Sequence, residues 1–206
     1  MYISVFERDE QGYRAGFDAD VEAIFTQLLG EALQVLDAPV DPVTSVLTAT
    51  VEEEVTRPEP QDPALRKLIP PLSSDPQEAQ KLRALTEESL RYDKSQRLHA
   101  LLECLQERES PDEIWIPLGQ EWEWLAALND LRLVLSAQLP VDDAEVMGIL
   151  TTRAEQILFA GGPPKASENS GTWLDQDPDA PQLQFTTVIY VMVSWWQDSL
   201  IQILPQ

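Results

Sequence analysis

The chain predicts a mainly α fold: a single domain over residues 1–206, with five to six helices and a small antiparallel β-sheet. Three observations lead there. Apolar residues recur at helical period along most of the length, in runs that open on Asp or Asp-Pro and close on Pro. Only two short regions, at the N-terminus and at 114–116, alternate as strands do. With 43% of its 206 residues hydrophobic, the chain can bury a sizeable core without disulfides.

Tyr2-Ile-Ser-Val-Phe6 is rich in strand formers, Asp9-Glu-Gln-Gly12 is a turn, and Tyr13–Phe17 returns as the second arm of a hairpin. Asp18 or Asp20 then caps a helix carrying Val21, Ile24/Phe25, Leu28/Leu29, Ala32 and Leu36, which Pro39 ends. Asp41-Pro42 opens a second helical run through Val43, Val46/Leu47 and Val51. The polar, Pro-rich stretch Thr56–Asp62 is an extended connection. Asp62-Pro-Ala-Leu-Arg-Lys-Leu-Ile-Pro70 is a short capped helix anchored by Leu65, Leu68 and Ile69. Asp75-Pro-Gln-Glu78, with an acidic cap, an N1 proline and an N3 glutamate, opens a long helix to about Arg108.

The apolar stripe of that long helix migrates. Ala79, Leu82 and Leu85 share one face, whereas Leu98, Leu101, Leu102 and Leu105 lie about a third of a turn or more around it, so its two halves face different neighbours. Ile114-Trp-Ile116 is a strand suited to joining the hairpin. A helix from about Leu118 to Gln138 follows; Pro140 stops it, and Asp142 or Asp143 caps the next, with Val146, Ile149/Leu150, Ala154 and Ile157/Leu158. Residues 163–181 are rich in Pro, Gly, Ser, Asn and Asp and read as a mobile insertion. The closing segment Phe185–Leu204 has a very wide apolar face, with Ser194, Gln197 and Asp198 opposite. It is either the central core helix or a homodimer interface.

The helix around Trp124–Leu135 carries three polar residues, Asn129, Asp130 and Arg132, where a plain core helix would carry none. On a helical wheel Arg132 falls inside the leucine arc, Asn129 at its edge, and Asp130 away from it with Glu123. A buried guanidinium keeps its proton and needs a carboxylate or several carbonyls. Asp93, on the Leu82 side of the long helix, is the expected partner of Arg132, tying the two helices in register.

Composition excludes several functions. A net charge of −22 sets the chain against nucleic-acid backbones and anionic membranes. The longest apolar run, Val188–Trp196, is too short to span a bilayer. The N-terminus lacks a signal-peptide pattern, and one cysteine, Cys104, cannot form an internal disulfide; a cytoplasmic location is expected. Residues 61–110 are nearly neutral, with 8 bases and 9 acids, between two acidic flanks. The i,i+4 spacings Arg83/Glu87/Arg91 and Asp93/Arg97 read that middle as a salt-bridged helix.

Catalytic chemistry is not legible. The sole histidine, His99, has no ligand-spaced companion, and no phosphate loop or nucleophile elbow occurs, so neither an enzyme nor a cofactor is expected. Asp175/Asp177/Asp179 resembles the opening of a calcium loop, but prolines interrupt it and Thr186 stands at the closing position. Cys104, among Leu101, Leu102 and Leu105, reads as a buried inert thiol, with a redox role as the alternative. Trp122/Trp124 and Trp195/Trp196 are adjacent enough on their helices that one ring of each pair can reach the surface. Trp122, Trp195 and Trp196 are therefore the candidates for a partner surface.

Taken together, Asp62–Pro70, Asp75, Leu82-Arg-Ala-Leu-Thr-Glu87, Leu90-Arg91, Lys94 and Leu128-Asn-Asp-Leu-Arg-Leu133 resemble the AosR family of high-GC Gram-positive bacteria, through residues 62–139. Tyr190 and Trp195-Trp-Gln-Asp-Ser-Leu200 echo it more weakly. The resemblance implies a non-enzymatic regulator of the oxidative-stress response that binds a sigma factor rather than DNA. The family's genes often neighbour that of the protease adaptor ClpS, which implies as an alternative an accessory role in regulated proteolysis. Redox-sensing members are described with an N-terminal Cys-x-x-x-Cys pair; this chain has Val5 and Asp9 there, so that switch is missing.

Overall fold

The computed structural model describes residues 2–38, 56–108, 110–159 and 179–205. The expected helix after Asp41-Pro42 lies outside them, as does the expected insertion except for its last residues. Among the described residues are six helices and one three-stranded antiparallel sheet: β1 (Glu7–Arg8), β2 (Gly12–Gly16), α1 (Ala19–Asp37), α2 (Pro63–Leu68), α3 (Pro76–Glu107), β3 (Glu113–Pro117), α4 (Glu121–Ser136), α5 (Ala144–Phe159) and α6 (Ala180–Ile203).

The caps explain where the helices begin. Asp18 accepts the Val21 N–H at 3.1 Å, Asp62 that of Leu65 at 2.9 Å, and Asp143 those of Glu145 and Val146 at 3.1 and 3.0 Å. Asp75 accepts both Gln77 and Glu78 N–H at 2.9 Å, while Glu78 takes the Ser73 hydroxyl at 2.6 Å instead of returning to the cap. Ala180 and Pro181, which the sequence assigns to the insertion, form the first turn of α6, where proline costs nothing.

The sheet order is β1-β2-β3, with Glu7 opposite Arg14 and Arg14 opposite Trp115. The hairpin's first arm pairs later than its strand-forming residues suggest. Ile3 bridges Phe17 whereas Glu7 faces Arg14, so the first arm holds one more residue than the second between those points, as in a bulge. Ser4 Oγ accepts the Gly16 N–H at 2.8 Å, and the Phe6 N–H leaves the sheet to donate to Ser199 Oγ at 3.2 Å.

That detour lays Phe6 on Trp196, ring centroids 4.7 Å apart, with Phe17 and Phe25 edge-on at 6.3 and 5.0 Å. Trp196 is only 1% exposed and sits where the hairpin, α1 and α6 meet. The helix α6 packs against α4 and α5; α1 packs on α3, and both α2 and α3 pack on α4. The apolar face of α6 is thus covered by the chain itself, with Val188, Ile189, Met192, Val193, Trp196 and Leu200 buried. Gln197, expected on the opposite face, is buried as well. No helix among the described residues is long and apolar enough to cross a membrane.

The long α3 reverses one expectation. Leu85 is 78% exposed and Leu82 only half-buried; the first half instead buries Arg83 and Glu87. The neighbours explain it. This face meets the carboxyl ends of α1 and α2, whose last carbonyls lack helical partners and attract cations. Arg83 donates to Ile69 O at 3.1 Å, and Arg91 to Leu36 O and Ala38 O at 3.1 and 2.7 Å. Glu87 compensates them, with Arg91 at 3.2 Å, Arg57 at 3.7 Å and Arg83 at 3.9 Å.

Candidate interaction surface

The polar residues of α4 divide differently from the helical wheel. Asp130, expected to point away, is the buried one at 1% exposure. Lys94 Nζ donates to its Oδ1 at 2.5 Å and Arg97 to its Oδ2 at 3.3 Å, both from α3. Asn129 is exposed, so it belongs to no buried polar core. Arg132 is half-buried and does not pair with Asp93, which is exposed. It donates to Gln197 Oε1 at 2.7 Å and lies over the Tyr190 ring at 5.6 Å, while Gln197 Nε2 donates to Leu125 O at 3.0 Å. Arg132 therefore joins α4 to α6, and Asp130 joins α4 to α3. The wheel places Arg132 inside the leucine arc, but its long side chain carries the charge outward along the next helix to a half-buried position. Arg97, expected to pair with Asp93, serves Asp130 instead.

Among the described bases, Arg57, Arg83, Arg91, Lys94, Arg97, Arg108 and Arg132 are engaged with acids, carbonyls or an amide. Arg108 grips Glu22 with two nitrogens at 2.9 and 2.6 Å, also donates to Leu105 O, and stands over the Phe17 ring. The Arg108 hydrogen bond holds the Glu22 carboxyl below the ordinary carboxylate range, against a smaller opposing push from burial. These cations are thus occupied at seams between elements, in a chain whose net charge is −22.

The titratable candidates do not converge. His99 is 47% exposed in its side chain, with Nε2 3.5 Å from Asp37 Oδ2. Ser95 Oγ donates to the same carboxylate at 2.7 Å. Cys104 is half-buried; burial pushes its thiol up, partly offset by Arg108, and its Sγ stands 3.9 Å from Trp115 O. Among the described residues, no group of three or more His, Cys, Asp or Glu side chains could hold a metal ion.

The three tryptophans named from sequence part company. Trp196 is the core centre and offers no surface. Trp195 is half-buried, its ring 5.6 Å from that of Phe159. Trp122 is 67% exposed on the first turn of α4. Sequence reasoning missed its neighbours along the chain, Trp115 and Leu118, which are 41% and 48% exposed. Strand alternation carried the signal: Ile114 and Ile116 point inward, so Trp115 must point outward.

Local geometry gathers this corner. A Cβ on Gly12 would come within 2.9 Å of Trp115 Nε1 and 2.1 Å of Ile116 O, so the indole lies across a glycine where no side chain fits. The Leu118 N–H donates to Gln11 O at 3.2 Å, bringing Leu118 to the same turn. Gly119, at φ +93°, turns the chain from β3 toward α4, and its N–H donates to Glu121 Oε2 at 2.6 Å. Carboxylates flank the apolar groups in sequence: Glu113 two residues before Trp115 on β3, then Glu121 and Glu123 on either side of Trp122. The nearby cation, Arg14, is already held by Asp9 at 2.8 Å and Glu113 at 3.7 Å.

Comparison with protein families matches residues 3–204 to a model described as a domain of unknown function, DUF2017, and the chain belongs to that family. No curated protein and no solved structure matches it.

Proposed function

We propose that this DUF2017 member is a non-enzymatic regulatory protein that acts by binding another protein. One observation carries the reading: on a chain of net charge −22, large apolar side chains stand exposed at Trp115, Leu118 and Trp122. Such a surface repels nucleic acid and suits a partner protein with a basic face. The resemblance of residues 62–139 to the AosR family supports an oxidative-stress role exerted through a sigma factor. Without the N-terminal cysteine pair, and with a half-buried Cys104 whose thiol is raised, that role would run without a thiol switch in this chain. The lone cysteine also suits a reducing, cytoplasmic setting.

Affinity capture from the native cells, with the tagged full chain as bait, tests the reading. Recovery of a sigma factor supports it in full. Recovery of ClpS or its protease instead would move the function to regulated proteolysis, and recovery of neither class would overturn it.

A further inference from the structure

We infer that the corner formed by β3 and the start of α4 is the docking site, and that its occupant is a basic segment of another protein carrying an apolar anchor. The inference rests on the protein-binding reading above and gives it a place. Trp115, Leu118 and Trp122 are exposed by 41, 48 and 67% within eight residues of chain, on elements whose other faces are fixed in the core by Ile114, Ile116 and Trp124. Large rigid aromatic rings on a fixed scaffold give much contact area for little ordering cost. The backbone beneath them is built for close approach: Gly12 leaves room for the Trp115 indole, and the positive φ of Gly119 sets the turn.

Charge selects the occupant. Glu121 and Glu123 flank Trp122 in sequence with no cation beside them among the described residues, and Arg14, opposite Trp115 in the sheet, is held by Asp9 and Glu113. An acidic or neutral apolar segment would bury these carboxylates without compensation, whereas lysines or arginines flanking an apolar side chain would pair with them. The occupant also meets side chains rather than adding a fourth strand. Pro117 has no N–H to give, and Cys104 from α3 stands against the Trp115 carbonyl on the outer side of β3.

The test uses the full chain and a fluorescent helical peptide of about 16 residues, roughly four turns, with lysine on one face and leucine on the other. A glutamate/leucine peptide of the same pattern is the comparison. Fluorescence anisotropy at about 0.15 M salt, where long-range attraction is screened, reads binding. The lysine peptide should bind and the glutamate peptide should not. Leu118→Ser with Trp122→Ser should weaken binding at least about tenfold, the loss expected for a buried aromatic anchor. Glu121→Gln with Glu123→Gln should weaken it and flatten its salt dependence, while Leu85→Ser with Phe185→Ser, also exposed but elsewhere, should leave it unchanged. All changes are at exposed or half-exposed side chains, and far-UV circular dichroism checks the fold.

Equal binding by the Leu118/Trp122 variant, equal loss in the Leu85/Phe185 variant, or no binding of the lysine peptide would overturn the site. The same Leu118/Trp122 variant serves as bait in the cellular capture. A partner it retains as well as the unaltered chain overturns the location alone, and a failure of both baits overturns the protein-binding reading together with the site.

Discussion

Replacing Asp130 by Asn separates the charge of the α3–α4 seam from its shape. The side chain keeps its volume, but Lys94 at 2.5 Å and Arg97 at 3.3 Å lose their shared anion. Each charge-assisted hydrogen bond is worth about 1.5–3 kcal/mol, and stranding a fully enclosed partner of an ion pair costs about 3–5 kcal/mol. Neither cation is fully enclosed here, at 15% and 30% side-chain exposure, so both can turn partway to water. The expected loss is therefore about 2–3 kcal/mol, or roughly 4–12 °C in Tm for a domain of this size. Urea unfolding should show a lower midpoint at unchanged slope. Asp93→Asn, at an exposed position, should stay within about 0.5 kcal/mol of the unaltered protein. Combining Asp130→Leu with Lys94→Met, and leaving Arg97 free to swing outward, should recover at least half of the loss, because apolar replacement of a buried pair is often near neutral. A change below about 0.5 kcal/mol in Asp130→Asn, or an equal loss in Asp93→Asn, would refute the assignment of Asp130 as the interhelix anchor.

Other expectations follow from single contacts. Ser199→Ala leaves the buried Phe6 N–H without its acceptor and should cost about 1–3 kcal/mol, with weaker near-ultraviolet circular dichroism from the Trp196 ring cluster; unchanged spectrum and stability would exclude that role. The folded-state carboxyl of Glu22 titrates below its ordinary 4.5, so its contribution is complete above that value and is lost as pH falls through the lower folded one. The stability gap between Glu22→Gln and the unaltered chain should accordingly close on acidification, as urea midpoints across a pH series would show; a gap that widened would contradict the sign. Cys104, its thiol raised from an ordinary 9.0 by burial, should react with a disulfide reagent more slowly than free cysteine at neutral pH and accelerate beyond pH 9.0. Rapid labelling at neutral pH would instead mark an activated thiolate.

The ends of elements were more legible than their faces. Asp18, Asp62, Asp75 and Asp143 stand where a carboxylate meets free N–H groups, which is a local event that sequence spacing reports directly. Which side of a helix is buried depends on what lies opposite. Counting leucines assigned Leu85 inward and Asp130 outward, but α3 meets the carbonyl ends of α1 and α2, so its cations turn inward, and Lys94 and Arg97 then draw Asp130 after them. Gln197 and Ser199 were likewise hidden, because their burial is set by Arg132, Leu125 and Phe6, partners as distant as 193 residues in sequence. Of the candidate surface, Trp122 followed from helix geometry and Trp115 could have followed from strand alternation. Leu118 could not, since its exposure depends on the turn that Gly119 makes.

The closure of Phe6, Phe17 and Phe25 around Trp196 has a consequence for how the chain is made. The hairpin is synthesised before α6, so at roughly 5–20 residues per second Phe6 waits about 10–40 s for the tryptophan and the Ser199 hydroxyl that complete it. Throughout that interval Phe6, Phe17 and Phe25 lack the ring they close on in the folded chain. A translation stop anywhere before α6 would therefore release a chain with an open centre, not a shorter version of the same domain.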